Sequence, residues 1–154
     1  MYEQAKPNQD LGTYSAGVVE KLLRDMAFSI TKTLENPDQA NVHDLRRLCL
    51  RLRHALRLFA RLLPGKAARK IQKRLALLQD LLAGVRTTDV AARTLQLEVL
   101  APSLSRPLSR KINALLAQER RRSQRPLRAR LRKMQHSDAM GRWRIRLLAA
   151  RAAG

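Results

Sequence analysis

The chain has 154 residues, 45% of them hydrophobic, and its 32 Lys plus Arg against 12 Asp plus Glu give a formal net charge of +20. Its 28 leucines exclude a disordered polycation, its 3% aromatic content works against a sheet, and the single Cys49 excludes a disulfide framework or a cysteine-based zinc site. No apolar run approaches the roughly 20 residues that span a bilayer, and residues 1–12 hold no signal-peptide core, so the expectation is a soluble, cytoplasmic, one-domain protein with a polyanionic partner and no membrane association.

In chain order, residues 1–12 read as a flexible N-terminus and 13–154 as one helical bundle. A first helix is expected from Ser15 to Glu35, where Val19, Leu22, Leu23, Met26, Ile30 and Leu34 recur at three- and four-residue spacing before Pro37. A second should run from Asn41, as N-cap, to Leu63, with Pro64-Gly65 ending it. A third is expected from Lys66 to Leu82 with Gly84 as terminator, and a short fourth from Thr88 to Leu100, ahead of Pro102. The next covers Arg106 to Met134, with a kink or break expected near Arg122 to Arg125 because Pro126 removes a hydrogen bond. Ser137 should cap a last helix containing Trp143, Ile145, Leu147 and Leu148. With no strand signal and short Pro/Gly turns, the predicted fold is all-α: an antiparallel four-helix-type bundle of long amphipathic helices plus short extra helices.

The charge is not spread evenly. Residues 41–75 carry +10 and residues 106–154 carry +13, while 1–40 carry −2 and 76–105 carry −1. On the second helix, a projection at about 100° per residue puts Leu45, Leu48, Leu52, Leu56, Phe59 and Leu63 on one face. His43, Arg46, Arg53, Arg57 and Arg61 fall on the other, interrupted by Leu50 and Leu58. An ordinary solvated face mixes Glu with Lys to gain pairing at i,i+4, and like charges at that spacing repel by a few tenths of a kcal/mol; these arginines have no acid on their own face. Shorter basic stripes occur at Lys66, Lys70 and Lys73, and at Arg121, Arg125, Arg128 and Arg132. If these helices are neighbours, the stripes converge on one groove.

Arginine forks match phosphate oxygens in bidentate fashion and stay charged. Binders of single-stranded nucleic acid usually add aromatic platforms, and none of Tyr2, Tyr14, Phe28, Phe59 and Trp143 lies among the stripe arginines. A partner made of phosphates without bases fits that absence; non-specific nucleic-acid binding at low salt is the alternative. An enzyme would need paired acids, a P-loop or a nucleophile near the stripes, and only Asp44 and Glu119 come close. No metal or cofactor is expected. The residue pattern alone favours a structural role for His43, capping or partly buried, and leaves His54 and His136 structural or exposed. Cys49 projects near the leucine face and reads as a small buried residue.

The run Val42-His43-Asp44-Leu45-Arg46, continuing through Arg51-Leu52-Arg53-His54-Ala55-Leu56-Arg57-Leu58-Phe59 to Leu62-Leu63-Pro64, resembles the signature helix of the CHAD family, the conserved histidine α-helical domain. Gly84-Val85-Arg86-Thr87-Thr88-Asp89-Val90 is similar to that family's second motif, one residue tighter and with Thr87 where an aspartate is usual. The closing stretch from Leu115 to Trp143 resembles the last helices of the family's first bundle. The resemblance implies a non-catalytic all-helical domain that binds inorganic polyphosphate in a basic groove, in the cytoplasm and in association with polyphosphate or other storage granules. It carries His43, Arg46, Arg53 and Arg57 over as phosphate-facing residues and shifts His43 to the binding face. Lys70, Lys73, Arg121, Arg125 and Arg128 are the expected further contacts. The expected position of His43, second in its helix, adds free backbone N–H groups that favour an anion. Full-length members look like two pseudo-symmetric bundles and this length suffices for one, so either a homodimer rebuilds the pair or half the surface is enough.

Overall fold

The computed structural model describes residues 10–99 and 105–152, which form five helices and, among the described residues, no strand. They are α1 (Leu11–Glu35), α2 (Gln39–Leu58), α3 (Gly65–Val99), α4 (Arg106–His136) and α5 (Ala139–Ala152). The expected all-α antiparallel bundle is what the chain forms. Cross-links between partners show each direction reversing. Cys49 Sγ on α2 meets the Leu75 carbonyl on α3 at 3.5 Å, and Asp89 on α3 meets Arg120 on α4 at 3.0 Å. Gln124 and Gln135 of α4 reach Pro37 and Thr31, while Arg144 of α5 reaches Glu20 near the start of α1. α4 and α5 therefore act as one column along α1, and the five helices make four columns.

The helix boundaries follow local capping chemistry. Asp10 accepts from the Gly12 N–H at 3.2 Å, so α1 starts at Leu11, earlier than the Ser15 expected. The predicted flexible segment over 1–12 otherwise lies, in residues 1–9, outside the described residues. At α2 the cap is Asp38, whose carboxylate accepts from Asn41 N–H at 2.8 Å, and not Asn41. The Asn41 amide instead ties back to the Asn36 carbonyl at 2.7 Å and fastens the α1–α2 turn. α2 ends at Leu58 with Phe59 as C-cap, a turn before the expected Leu63.

Neither the expected helix end at Gly84 nor a break at Pro126 occurs. α3 is one helix of 35 residues through Gly84, and α4 one helix of 31 residues through Pro126. Gly84 is solvent-exposed and no described glycine has a positive φ, so it costs about 1 kcal/mol relative to Ala without turning the chain. Leu82 and Val85 on either side are fully buried and hold the helix on the core. Pro126 is exposed, as is Arg122, whose carbonyl loses its intrahelical donor and can take one from water. Buried Gln124, Leu127 and Leu131 keep α4 seated across that position. The expected stop at Pro102 lies outside the described residues. Ser137 closes α4 instead of opening α5; Asp138, at φ 47, makes the turn and accepts from Gly141 N–H at 3.3 Å. Aspartate tolerates that left-handed conformation because its short polar side chain bonds locally.

The core is aliphatic. Val19, Leu23, Met26 and Ile30 of α1 meet Leu45, Leu52 and Leu56 of α2, Ile71, Leu75, Leu78 and Leu82 of α3, Leu127 and Leu131 of α4, and Trp143 and Leu147 of α5. On α3 the buried apolar positions stop at Val85, and on α4 the buried positions begin at Gln124. Beyond them α3 and α4 continue as an antiparallel arm, from about Arg86 to Leu97 and back from Arg106 to Arg120. The one buried side chain described there is Asp89. That arm overhangs the start of α2.

Candidate functional site

The overhang makes a groove of about 400 Å³ between the first half of α2 and the second half of α3. His43 and Arg46 line one wall, and Arg86, Arg93 and Thr94 the other, with Val42, Val90 and Leu97 as apolar backing. Arg86 and Arg93 face it together because they are seven residues apart, which returns within about 20° on an α-helix. Gln72 and Gln79 continue the same row toward the α2–α3 turn. There Gln72 donates to the Arg53 carbonyl at 3.1 Å, and the Arg53 guanidinium donates to the Gln79 side chain.

The charge in the groove is one-sided. Among the described residues its one carboxylate, Asp89, is 6% exposed and bound to Arg120, so it is already matched from α4. Burial pushes its carboxyl above the usual 3.8, opposed by the charge and hydrogen bond of Arg120. Among the described residues, ion pairs form at Arg120–Asp89 and Arg144–Glu20, and neither takes up Arg46, Arg86 or Arg93. A second hollow shares Gln39, Asp89 and Arg93 with the groove and runs on past Asn113 to Arg120. The basic surface therefore bends from the α2–α3 face onto the α3–α4 face.

Of the residues singled out in the sequence, His43 and Arg46 stand in the groove, and Arg53 lies farther along the same α2–α3 seam. His43 is exposed and is the fifth residue of α2, so it is neither a cap nor in the first turn expected of it. Its own N–H is committed to the helix, and its contribution is the imidazole alone. Arg57 lines a hollow on the α1 side of α2, beside Tyr14 and Lys21. Lys70 and Lys73 are exposed, roughly 100–180° around α3 from the Gln72–Gln79 row. Among the described residues α4 packs on α1, α3 and α5 and not on α2, and none of its stripe arginines lines the groove. Arg121 and Arg125 are exposed there, and half-buried Arg128 reaches the Leu34 carbonyl at 3.5 Å.

The basic side chains lining these hollows that the sequence did not single out are Arg93 and Arg120, and the sequence did not place Arg86 on the groove. The seven-residue spacing of Gln79, Arg86 and Arg93 was the available signal, but an expected helix end at Gly84 put Gln79 and Arg93 on different helices and Arg86 between them. Cys49 is buried as expected, and burial lifts its thiol to about 11 against the lowering effect of Arg53. No group of three or more His, Cys, Asp or Glu among the described residues could hold a metal ion. No helix among them is long and apolar enough to cross a membrane.

The sequence profile of the CHAD domain matches residues 17–154. The chain belongs to the CHAD domain family. The match begins within α1, covers the other four helices and takes in both motif segments, at Val42–Arg46 and Gly84–Val90. Domains of this family are known for polyphosphate binding and are generally binding modules without catalysis of their own. No curated protein and no solved structure matches the chain.

Proposed function

We propose that this CHAD domain binds inorganic polyphosphate along the α2–α3 groove, with His43, Arg46, Arg86 and Arg93 as the contacting side chains and no reaction of its own. The observation that carries the reading is the placing of Arg86 and Arg93 opposite His43 and Arg46, with Asp89 neutralised from behind by Arg120. Polyphosphate has about one negative charge per phosphate, and guanidinium groups on facing helices can engage successive units from both sides. Binding releases counterions, so affinity falls with salt. Among the described aromatic residues none lines this groove, which favours phosphate over bases. Arg53, farther along the seam, and Arg120, around the corner, extend the path at either end. The exposed Lys70, Lys73, Arg121 and Arg125 supply long-range attraction, as do Arg57 and Arg128 from outside the groove. Non-specific nucleic-acid binding at low salt is expected from net charge alone. The proposal includes a cytoplasmic location, with polyphosphate or other storage granules.

The test is a titration with long-chain polyphosphate against duplex DNA and RNA at equal phosphate concentration and about 150 mM salt. Polyphosphate should bind more tightly, and Arg46→Glu with Arg86→Glu should weaken it far more than Arg130→Glu with Arg142→Glu, at identical net charge. Equal losses from the two pairs, or DNA binding as tight as polyphosphate, would overturn the reading.

A further inference from the structure

The other side of α2 carries a different surface. A hollow of about 910 Å³ opens between α1 and α2, backed by Val18, Leu22, Ala55 and Leu58 and closed at one end by Tyr14 and Phe59. It joins a second hollow at Asp25 and Arg51, which continues past Phe28 to Lys32 and Arg47. α3, α4 and α5 contribute nothing to either lining, so among the described residues this face of the α1–α2 hairpin has no neighbour. Its apolar side chains are unusually open: Leu58 is 76% exposed, Tyr14 59% and Phe28 68%. From Tyr14 to Lys32 the groove follows α1 for about 27 Å at 1.5 Å per residue. The aliphatic strip is made by Val18 and Leu22 opposite Ala55 and Leu58, and past Asp25 the lining turns polar around Phe28 and Leu48. Lys21, Lys32, Arg47, Arg51 and Arg57 edge the groove as a whole, against Asp25 and Asp44.

We propose that the α1–α2 groove is a docking site for an amphipathic helix whose apolar stripe is flanked by acidic residues. Two antiparallel helices with a strip of aliphatic side chains between them are the receiving surface of helix-in-groove recognition, and the length fits about 18 residues of helix. The charge at the edges selects the flanks: glutamates on the incoming helix meet Lys21, Arg51 and Arg57. A second copy of this chain fits less well, because it would bring one basic edge against another in a protein of net charge +20. A single-stranded nucleic acid fits less well because the rings are engaged. Tyr14 stands edge-on to Phe59 at 6.4 Å, and the Lys32 ammonium sits 5.6 Å from the centre of the Phe28 ring.

The experiment uses a synthetic helix of about 18 residues with leucines at three- and four-residue spacing and glutamates on both flanks. Companion probes are its scrambled isomer, a version with lysines in place of glutamates, and single-stranded oligo-U of similar charge. Binding to the full chain is read by fluorescence anisotropy at about 150 mM salt. The ordered acidic helix should bind, and Leu58→Glu and Arg51→Glu should each weaken it at least about tenfold. Arg46→Glu with Arg86→Glu should leave it within about twofold once Leu58→Glu has defined the specific signal. The proposal fails if the scrambled or lysine-flanked peptide binds as tightly, if the acidic helix does not bind, or if oligo-U binds more tightly and loses affinity in Leu58→Glu. It fails equally if light scattering shows a dimer of the unaltered chain that Leu58→Glu dissociates. Because Leu58 is exposed, its replacement leaves the core intact, and unchanged polyphosphate binding in that variant verifies the fold.

Discussion

α2 serves two grooves, and they differ in what their walls are made of. Toward α3 it presents His43 and Arg46 to the arginines of a facing helix, with aromatic rings absent from the lining; toward α1 it presents Ala55 and Leu58 beside exposed rings, with cations only at the edge. One surface is charge backed by aliphatic carbon, the other aliphatic carbon edged by charge. A net charge of +20 makes both attractive to polyanions at long range, and short-range chemistry separates them. A flexible phosphate chain has nothing to bury against Leu58, and in the other groove an amphipathic helix would meet Val42, Val90 and Leu97 only behind facing arginines.

The sharpest way to break that contrast is to reverse charge in one groove only. Arg46→Glu with Arg86→Glu should cost polyphosphate affinity about 100-fold, roughly 2.7 kcal/mol, whereas Leu58→Glu should change it by less than about twofold; isothermal titration with both variants measures this. Raising salt from about 50 to about 200 mM should weaken polyphosphate roughly 50-fold if four phosphates are neutralised, with the slope of log K against log salt shallower for Arg86→Ala. A smaller effect is expected from Gly84→Ala, which should stabilise the fold by about 1 kcal/mol in urea denaturation and leave both grooves unchanged. Destabilisation would mean that α3 does turn at Gly84, and the wall formed by Arg86 and Arg93 would go with it.

The smallest effect concerns Asp89. Its folded carboxyl is pushed upward by burial, so the folded state takes up a proton before the unfolded chain does. Asp89 therefore contributes stability that grows as pH falls through its raised value and levels off below the ordinary 3.8. Asp89→Asn should flatten that part of the pH–stability curve, as urea midpoints taken across the acid range will show. An unchanged dependence in the variant would assign it to other groups.

Much of this was legible in the sequence, for identifiable reasons. The stripe of Val19, Leu23, Met26 and Ile30 and the opposed leucines and arginines of α2 are periodic, and periodicity survives without knowledge of neighbours. Arg46 could be picked because it lies in a basic stripe on one uninterrupted helix, whereas the residue pattern alone left His43 structural and only the resemblance to the family's signature helix moved it to the same face. Arg93 could not, because its placement depends on α3 passing Gly84, and that is decided by burial of Leu82 and Val85. Arg120 could not either, since only the meeting of α3 with α4 gives it Asp89. Arg57 shares a helical face with Arg46, yet near the end of α2 its surroundings are set by Tyr14 and Lys21 of α1. At chain turns the nearest capable cap decided the boundary: Asp38 took the role expected of Asn41, and Asp138 that expected of Ser137.

The arm beyond Val85 gives the arginine groove one stiff side and one soft side. Between Arg86 and Leu97, and on α4 from Arg106 to Arg120, no described apolar side chain is buried, so this stretch lacks the packing that protects the rest of α3. Its amides should exchange with solvent by local opening, at much lower free energy than those around Leu75 and Leu78. A ligand held by Arg46 on one side and by Arg86 and Arg93 on the other clamps the soft side to the stiff one. Hydrogen exchange in residues 86–97 should then slow on ligand binding while the bundle core stays as it was. Occupancy of the groove would be written into the breathing of the arm, with no change in the average position of any helix.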